Sequence, residues 1–201
     1  MLKWSNHFET GIALVDAQHK RLFELLDALS EKFVDRTPTQ AEVEETLAEL
    51  VEYAKRHFHD EEGLMAEYAL DARFLSVHHM EHHSFYYDLE RLQADLSFDE
   101  YASQTAEKLV RFMTSWLVYH IVGTDQCMAA QMRAIDQGAA PDAAYAAHQD
   151  MKRDPVSTQL ILNAVLNLWR DTAEHARVLE ERLAELTEHA RREVPAGEAR
   201  H

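Results

Sequence analysis

Apolar residues recur at alternating spacings of three and four over four consecutive segments of the chain, the period of helix faces that pack on a core. The segments run from 16 to about 33, from 39 to the loop at 70–71, from 72 to 96 and from 97 to about 135. Four such helices joined by short loops predict an all-α, up-down-up-down four-helix bundle. The stripe residues are, in chain order, Val15, His19, Leu22, Leu26, Leu29, Phe33, Val43, Leu47, Leu50, Ala54, His57, Glu61, Leu64, Tyr68, Leu75, His78, His82, Phe85, Leu89, Leu92, Leu96, Ala106, Leu109, Met113, Trp116 and His120.

Capping residues mark where these helices begin and end. Asp16 is predicted as the N-cap of the first helix, and Thr39–Glu42 and Ser97–Glu100 are typical capping boxes that open the second and fourth. A break follows at Gly138, and Asp154–Pro155 is predicted to start a fifth helix, with Asp as N-cap and Pro at the first helical position. Only 5 Gly and 4 Pro in 201 residues agree with a chain of long helices.

Titratable side chains interrupt all four apolar stripes. A lone histidine on an apolar face is usually a hydrogen-bonded core residue, but here five histidines and a glutamate lie on four facing helices. Burying so many titratable groups without partners costs on the order of several kcal/mol each. A metal removes that cost, because neutral imidazoles and carboxylates become its ligands. The pattern therefore predicts a metal site inside the bundle, with the candidate ligands His19, His57, Glu61, His78, His82 and His120.

Helical phase separates these candidate ligands from the remaining histidines. His78 and His82 lie four residues apart and share the face of the third apolar stripe, whereas His79 and His83 turn toward solvent. His59 lies two positions past a candidate ligand and also points away from the core. Of the 13 histidines in the chain, phase thus selects an inward set.

Charge and cysteine content limit the partners and the compartment. The formal net charge of −16 argues against nucleic acid and against anionic membrane surfaces, because both repel an acidic partner. No apolar run approaches the ~20 residues that a membrane span requires. The single cysteine, Cys127, cannot form an internal disulfide, and we expect a bacterial-type cytoplasmic protein.

Short motifs stand in a specific order over the first two thirds of the chain: Trp4, Gly11–Ile12, Asp16–Lys20, His57–Met65, His78–Phe85 and Trp116–Asp125. Together, over residues 4 to about 130, they resemble the bacterial hemerythrin domain. All the metal-ligand positions of that family are filled, in order and at the family spacing. The resemblance implies two irons, bridged by an oxo or hydroxo group and by two carboxylates. The implied ligands are His78, His82 and His120 for one iron, His19 and His57 for the other, and Glu61 and Asp125 as bridges.

Asp125 is a ligand by this resemblance alone. It follows His120 by five residues, which is roughly 140° around an ideal helix, so its spacing would leave it in solvent. Imidazole and carboxylate ligands suit iron, and they leave zinc and manganese open as alternatives.

The iron with fewer histidines keeps one open position, where the resemblance implies that dioxygen binds. Neutral nitrogen ligands outnumber carboxylates five to two, unlike in the carboxylate-rich di-iron bundles. With few carboxylates, the ligand set provides little negative charge to stabilise high-valent iron. We therefore expect binding rather than catalysis, and no catalytic residues. Side chains next to the ligands are predicted to line an apolar oxygen pocket, although each taken singly is equally well explained by core packing. They are Leu22, Phe58, Trp116, Ile121 and Gly123.

A fifth helix is predicted at 155–192, with the bundle at 1–135, a linker at 136–154 and a polar tail at 193–201. Its segment 178–187 resembles the signalling linkers that join bacterial sensor domains to output domains. A coiled-coil homodimer and a plain helix packed on its own bundle are equally compatible with its stripe. The stripe residues are Leu162, Val165, Trp169, Thr172, Ala176, Leu179, Leu183, Leu186 and Ala190.

Three functions stay open at this point. The first is a sensor, in which oxygen or redox state at the irons alters the fifth helix and acts on an output domain or a separate partner protein. The second is a carrier or store of dioxygen without signalling. The third and weaker alternative is a di-iron enzyme that acts on peroxide or nitric oxide.

Overall fold

The structure is a computed structural model that describes residues 3–34, 39–96, 102–149 and 154–193. Within these ranges all regular secondary structure is helical. Helices α1 to α4 form the expected bundle: chain neighbours pack against each other, and α4 also packs against α1, which closes it. The elements are a 3-10 turn (Asn6–Phe8), α1 (Ala13–Val34), α2 (Gln40–Glu67), α3 (Ala72–Leu96), α4 (Ala102–His120), a π-helical segment (Ile121–Asp125), α5 (Gln126–Asp136), α6 (Pro141–Gln149) and α7 (Pro155–Glu193).

Some of the sequence-based predictions fall outside the described part of the chain. These are the capping box at Ser97–Glu100, the tail from residue 194, and the side chains of Phe33, Leu96, Ala106 and Ala190.

Two predicted helix starts are confirmed by their capping contacts. At α2, the Glu42 amide donates to Thr39 Oγ1 (3.3 Å) and the Thr39 amide donates to Glu42 Oε2 (2.9 Å), which is a reciprocal capping box. At α7, Asp154 Oδ1 accepts from the amides of Val156 (2.9 Å) and Ser157 (3.1 Å). Both caps satisfy amides that the first helical turn leaves without partners.

The prediction that Asp16 is the N-cap of the first helix is wrong. Helix α1 begins at Ala13, and Asp16 lies in its first turn. Its carboxylate instead accepts from the Thr10 amide (2.7 Å), the Thr10 hydroxyl (2.8 Å) and the Gly11 amide (3.1 Å). Gly11 has a φ of +82°, which favours glycine. Asp16 therefore fixes the preceding loop rather than the start of the helix.

Two groups of buried apolar side chains fill the interior. The larger group lies between α1, α2, α3 and α4 and is built largely from the predicted stripes, such as Leu47 and Leu89. The smaller group includes Val15, Met65 and Met128 and also involves α5. Along α1, α2 and α3 the candidate metal ligands lie between residues of the two groups. The titratable side chains thus occupy the middle of the protein.

Helix α6 lies inside the segment predicted as a linker, and the sequence did not predict it. It begins at Pro141, directly after the break that ends α5 at Asp136, and it packs back against α5. Its Ala144 is buried, and its Tyr145 ring carries the Arg73 guanidinium at 4.3 Å. The predicted helix break is present at Gly138, which has a φ of +94°. It is a turn between two packed helices and not the start of an extended linker.

The first half of α7 packs along α4, and it uses a face other than the predicted stripe. Ser157 and Ala164 are buried there, and Leu168 packs against the larger apolar group. Arg111 of α4 pairs with Asp171 of α7, Nε to Oδ1 at 2.9 Å. Helix α7 carries apolar residues on two faces, so spacing could not tell which face meets the bundle. The predicted stripe instead points outward, with exposed fractions of 50% for Leu162, 42% for Val165, 69% for Trp169, 50% for Leu179, 66% for Leu183 and 66% for Leu186.

None of the described helices combines the length and the apolar character needed to cross a membrane.

Substituting Ala164 with Glu tests the packing of α7 on α4. Ala164 is buried against the bundle, so its replacement places an unpaired carboxylate in an apolar contact, at a cost of at least about 2 kcal/mol. We expect the amides of residues 155–171 to exchange with solvent faster in this variant, as measured by hydrogen–deuterium exchange. Val165→Glu is the matched control, because the neighbouring Val165 is already exposed. Equal protection of α7 in both variants would contradict the assignment of the packed face.

Candidate metal centre

All the predicted metal ligands are buried, each at most 2% exposed. Helix α1 supplies one, α2 and α3 supply two each, and the helical run from α4 into the π segment supplies the rest. His59 and His83 are exposed and His79 is half-exposed, as helical phase predicted. The structure thus brings together the whole predicted set: His19, His57, Glu61, His78, His82, His120 and Asp125.

Glu61 lies between two groups of histidines, which we call the histidine pair (His19 and His57) and the histidine triple (His78, His82 and His120). Its Oε1 lies 3.9 Å and 3.6 Å from the Nε2 atoms of the pair. Its Oε2 lies between 3.4 and 4.0 Å from the Nε2 atoms of the triple. One carboxylate therefore presents a different oxygen to each group.

Asp125 repeats this arrangement from the opposite side of the cluster. Its Oδ2 lies 3.1 Å from His19 Nε2 of the histidine pair. Its Oδ1 lies 3.4 Å from His78 Nε2 and 3.2 Å from His120 Nε2 of the histidine triple. Two carboxylates that each divide their oxygens between the same two histidine groups are suited to bridge two adjacent metal ions.

The π-helical segment at 121–125 explains how Asp125 reaches the centre. The Gln126 amide donates to the Ile121 carbonyl, a bond between residues i and i+5 that widens the turn. A wider turn brings positions five apart toward the same face, so Asp125 joins His120 instead of lying roughly 140° away from it. Regular helical periodicity carries no signal for this distortion. The only hint in the sequence was the misfit between the phase of Asp125 and its place in the ligand series.

The hydrogen bonding of the cluster tests whether its residues fit metal ions. Among the described residues, the buried polar atoms without a hydrogen-bond partner are concentrated on the ligand set, including both oxygens of Glu61 and of Asp125. His82 Nε2 and His120 Nε2 face each other at 3.2 Å. Unpartnered buried polar atoms are costly and rare. Separations near 3 Å are those between neighbouring ligand atoms of an octahedral ion with bonds of about 2.1 Å. The residues therefore fit a pair of metal ions.

The pKa values of the clustered side chains agree with a site for metal cations. Burial lowers the pKa of His57 to about 4, despite the neighbouring Glu61 carboxylate. Burial also acts to lower the pKa of His120, but the carboxylates of Asp125, Glu61 and Glu81 outweigh it and raise that pKa to about 10. Burial disfavours the charged Glu61 carboxylate, yet the surrounding histidines hold its pKa well below the usual value. The two carboxylates thus stay charged while the His57 imidazole stays neutral, which is the state in which these groups bind metal ions.

The histidines also make contacts through their outer nitrogens, and sequence reasoning missed these partners. Nδ1 lies 3.0 Å from Gln18 Oε1 in His57, 3.0 Å from Glu62 Oε1 in His82 and 2.8 Å from Glu81 Oε2 in His120. A carboxylate or amide in this position fixes the ring orientation of a metal ligand. A signal was present for all three partners, since each directly adjoins a predicted ligand in the sequence.

A small apolar cavity of about 10 Å³ lies beside the cluster, with room for one water-sized molecule. Phe58 stacks on His82 with ring centroids 3.9 Å apart, and Trp116 stacks on His120 at 4.3 Å. Of the predicted pocket residues, Leu22, Phe58 and Trp116 line the cavity. Ile121 is buried outside its lining, and Gly123 is half-exposed, with the Tyr119 ring 4.0 Å from where its Cβ would lie. The lining residues are Leu22, Leu26, Ala54, Phe58, Phe85, Met113, Trp116 and Leu117.

Fold and site together define a helix-bundle protein with two adjacent metal positions in its core. Residues 10–132 match the family described as the Hemerythrin HHE cation binding domain, and the chain belongs to this family. Hemerythrins hold two non-heme irons, and this chain is accordingly a di-iron protein with His, Glu and Asp side chains arranged for such a pair.

Curated relatives support the same assignment. The chain is 29% identical over 132 residues to a bacteriohemerythrin of Clostridium acetobutylicum, covering 63% of this chain and 97% of the relative. It is 33% identical over 135 residues to a bacteriohemerythrin of Stenotrophomonas maltophilia, covering 67% and 83%. A myohemerythrin of Theromyzon tessulatum is 31% identical over 123 residues, covering 61% and 87%. No solved structure gives a significant match.

A comparison of His82→Ala with His83→Ala tests the inward pair on α3. His82 is buried with its Nε2 3.4 Å from Glu61 Oε2, whereas the adjacent His83 is exposed. We expect His82→Ala to lose metal and to lower the melting temperature of the loaded protein, because it removes a buried imidazole from the histidine triple that faces Glu61 Oε2. His83→Ala should match the wild type in metal content, measured by elemental analysis, and in melting temperature. Equal iron content in the two variants would contradict the assignment.

Proposed function

We propose that the chain binds dioxygen reversibly at this iron pair. The histidine triple and the histidine pair would each hold one iron, with Glu61 and Asp125 as shared ligands beside an oxo or hydroxo bridge. The observation that carries the proposal is the division of both carboxylates, each with one oxygen toward each histidine group. The iron at the histidine pair then has one protein ligand fewer, which leaves a position for an exogenous molecule.

The surroundings of the site favour binding over catalysis. The cavity beside the cluster is lined by apolar side chains and has room only for a molecule of about the size of water or a diatomic gas. None of the side chains that line it is ionisable, so the lining has no group that could move the protons of a larger substrate. Neutral imidazoles outnumber the carboxylates, which gives less stabilisation to high-valent iron. Peroxide or nitric oxide as an enzyme substrate is the weaker alternative, since both are small enough for the cavity.

Metal analysis and absorption spectroscopy test this function together. We expect two irons per chain and an absorption spectrum that changes when the reduced protein meets dioxygen and reverts when the gas is removed. Glu61→Gln is the informative variant, because it removes the charge of a shared carboxylate that is fully buried. It should lose the reversible change. One iron per chain, or none, in folded wild-type protein would overturn the proposal.

We further propose that the state of the irons is sensed through α7, with this helix forming a homodimer. Trp116 of α4 stacks on His120 at 4.3 Å, and α4 is the helix against which α7 packs. The π segment that carries Asp125 also contacts α7. A change at the centre therefore has a short path, through packed elements, to a helix whose outer stripe is exposed. An output domain or a separate partner protein would receive the signal.

A specific observation favours the competing carrier function. The first half of α7 is fixed to its own bundle by buried Ala164 and by the Arg111–Asp171 ion pair, so the helix has a structural role without any partner. The sensor proposal rests instead on the outward stripe that continues to Leu186. For either function we propose a cytoplasmic location, on the basis of the single cysteine and the acidic net charge.

Replacing Leu179 and Leu183 with Lys separates these two functions. If the stripe forms a helical seam between two copies, burying charges there weakens association by several kcal/mol, roughly. Ala184→Lys is the control, since it adds one such positive charge at an exposed position one residue off the stripe. We expect sedimentation to show a dimer for the wild type and the control, monomers for the double variant, and iron content unchanged in all three.

The same measurement on reduced and oxidised wild type tests signalling. The sensor proposal expects the dimer constant to differ between the two states. A monomer in both states at tens of micromolar would favour the carrier.

A further inference from the structure

The five histidines of the centre differ in the hydrogen-bond partners of their Nδ1 atoms. His120 Nδ1 has the Glu81 carboxylate at 2.8 Å, His82 Nδ1 has the Glu62 carboxylate at 3.0 Å, and His57 Nδ1 has the neutral Gln18 amide oxygen at 3.0 Å. The Nδ1 atoms of His19 and His78 have no hydrogen-bond partner among the described residues. Carboxylates therefore contact the outer nitrogens of two members of the histidine triple, whereas in the histidine pair the observed partner is a neutral amide.

The Glu81 carboxylate stands apart from the others in burial and in the number of its donors. Its side chain is 11% exposed, against 40% for Glu62. Glu81 Oε2 accepts from the Thr124 hydroxyl (2.7 Å) as well as from His120, and Oε1 accepts from the Tyr119 hydroxyl (3.0 Å). All three donors come from α4 and the π segment, whereas Glu81 lies on α3. A carboxylate with little access to water and with fixed donors keeps its charge directed at His120.

The contact also fixes which nitrogen of His120 is free. With its Nδ1 engaged by Glu81, His120 is left with Nε2 for a metal ion, and this atom lies 3.2 Å from both Asp125 Oδ1 and His82 Nε2. Backing by a carboxylate raises the basicity of a metal-bound imidazole. A more basic ligand stabilises ferric over ferrous iron.

We propose that Glu81 is a positioning residue that makes His120 the strongest nitrogen donor of the centre and so sets the redox asymmetry of the two irons. The iron held by the histidine triple is the one that this contact stabilises in the ferric state. Through the same carboxylate, the Thr124 hydroxyl links the π segment to α3. This inference rests on the proposed assignment of ligands to the two irons.

Glu81→Gln is the principal variant, since it removes the charge and keeps the size. We expect its iron pair to have a higher midpoint potential than the wild type, slower autoxidation, and an iron affinity lower by about tenfold or more in competition with a chelator. Glu62→Gln is the matched control: it also removes a carboxylate from a histidine Nδ1, but one that water screens. We expect the midpoint potential of Glu62→Gln to differ from the wild type by clearly less than that of Glu81→Gln does. A potential in Glu81→Gln equal to that of the wild type or of Glu62→Gln would overturn the proposal.

Tyr119→Phe and Thr124→Val separate two effects of Glu81. One is the effect of its charge on the basicity of His120, and the other is the rigidity that its contacts give to α4 and the π segment. Each removes one donor from Glu81 and leaves the contact between Glu81 and His120 in place. The proposal expects the potential of both variants to stay near that of the wild type. A shift as large as that of Glu81→Gln would mean that rigidity of the π segment, not the carboxylate behind His120, sets the potential.

A readout that does not depend on iron chemistry is available in the zinc-loaded wild-type protein, which is diamagnetic. We expect the His120 Nδ1 proton to resonate farther downfield in its NMR spectrum than the other ligand histidine protons, because it is donated to a buried carboxylate. A resonance no farther downfield than that of His57 would overturn the proposal even if Glu81→Gln failed to fold. Failure of wild-type protein to hold two irons would instead count against the ligand assignment itself.

Discussion

The burial of five imidazoles and two carboxylates at the middle of one helical bundle is the constraint on which the rest of the structure depends. Without metal, these groups leave buried polar atoms unpartnered, and such atoms cost free energy that the apolar core has to offset. Two metal ions convert the same atoms into ligands, so that metal binding and folding are coupled. The apolar groups on either side of the cluster, around Leu47 and around Met65, fix the four helices that carry the ligands.

Much of this centre was predictable, because helical periodicity is a strong signal over long segments. The spacing of four between His57 and Glu61, and between His78 and His82, selected the inward residues correctly, and the capping box at Thr39 was confirmed. The inward position of Asp125 was expected only through a family resemblance, and the structure buries this residue beside the histidines. Its inward position requires a π-helical turn, and the regular three-and-four spacing of an α-helix carries no signal for such a turn. The Asp16 prediction was wrong for a related reason, since the carboxylate satisfies loop amides that a helix pattern does not reveal.

The carboxyl-terminal part of the chain shows where sequence patterns become ambiguous. Helix α6 was missed because Gly138 and Pro141 mark a turn equally well before a linker and before a new helix. In α7 a stripe of regular spacing was found, but a different face, which carries the buried Ser157 and Ala164, is the one that packs on the bundle. Helix α7 therefore packs against α4 and the π segment, which carry two of the candidate ligands, while its apolar stripe stays exposed. This arrangement links the site to the surface and gives the sensor proposal its physical basis.

The proposed centre requires two irons that share Glu61 and Asp125, and the presence of iron alone would not establish it. Shared ligands couple the unpaired electrons of neighbouring ions, whereas separate ions stay magnetically independent. Mössbauer spectroscopy of the oxidised protein loaded with ⁵⁷Fe, in weak and strong applied fields, measures this coupling directly. We predict that essentially all the iron lies in a coupled pair with no net electron spin, and that the two sites are present in equal amounts. Iron with the magnetic splitting of isolated high-spin ferric ions would contradict it.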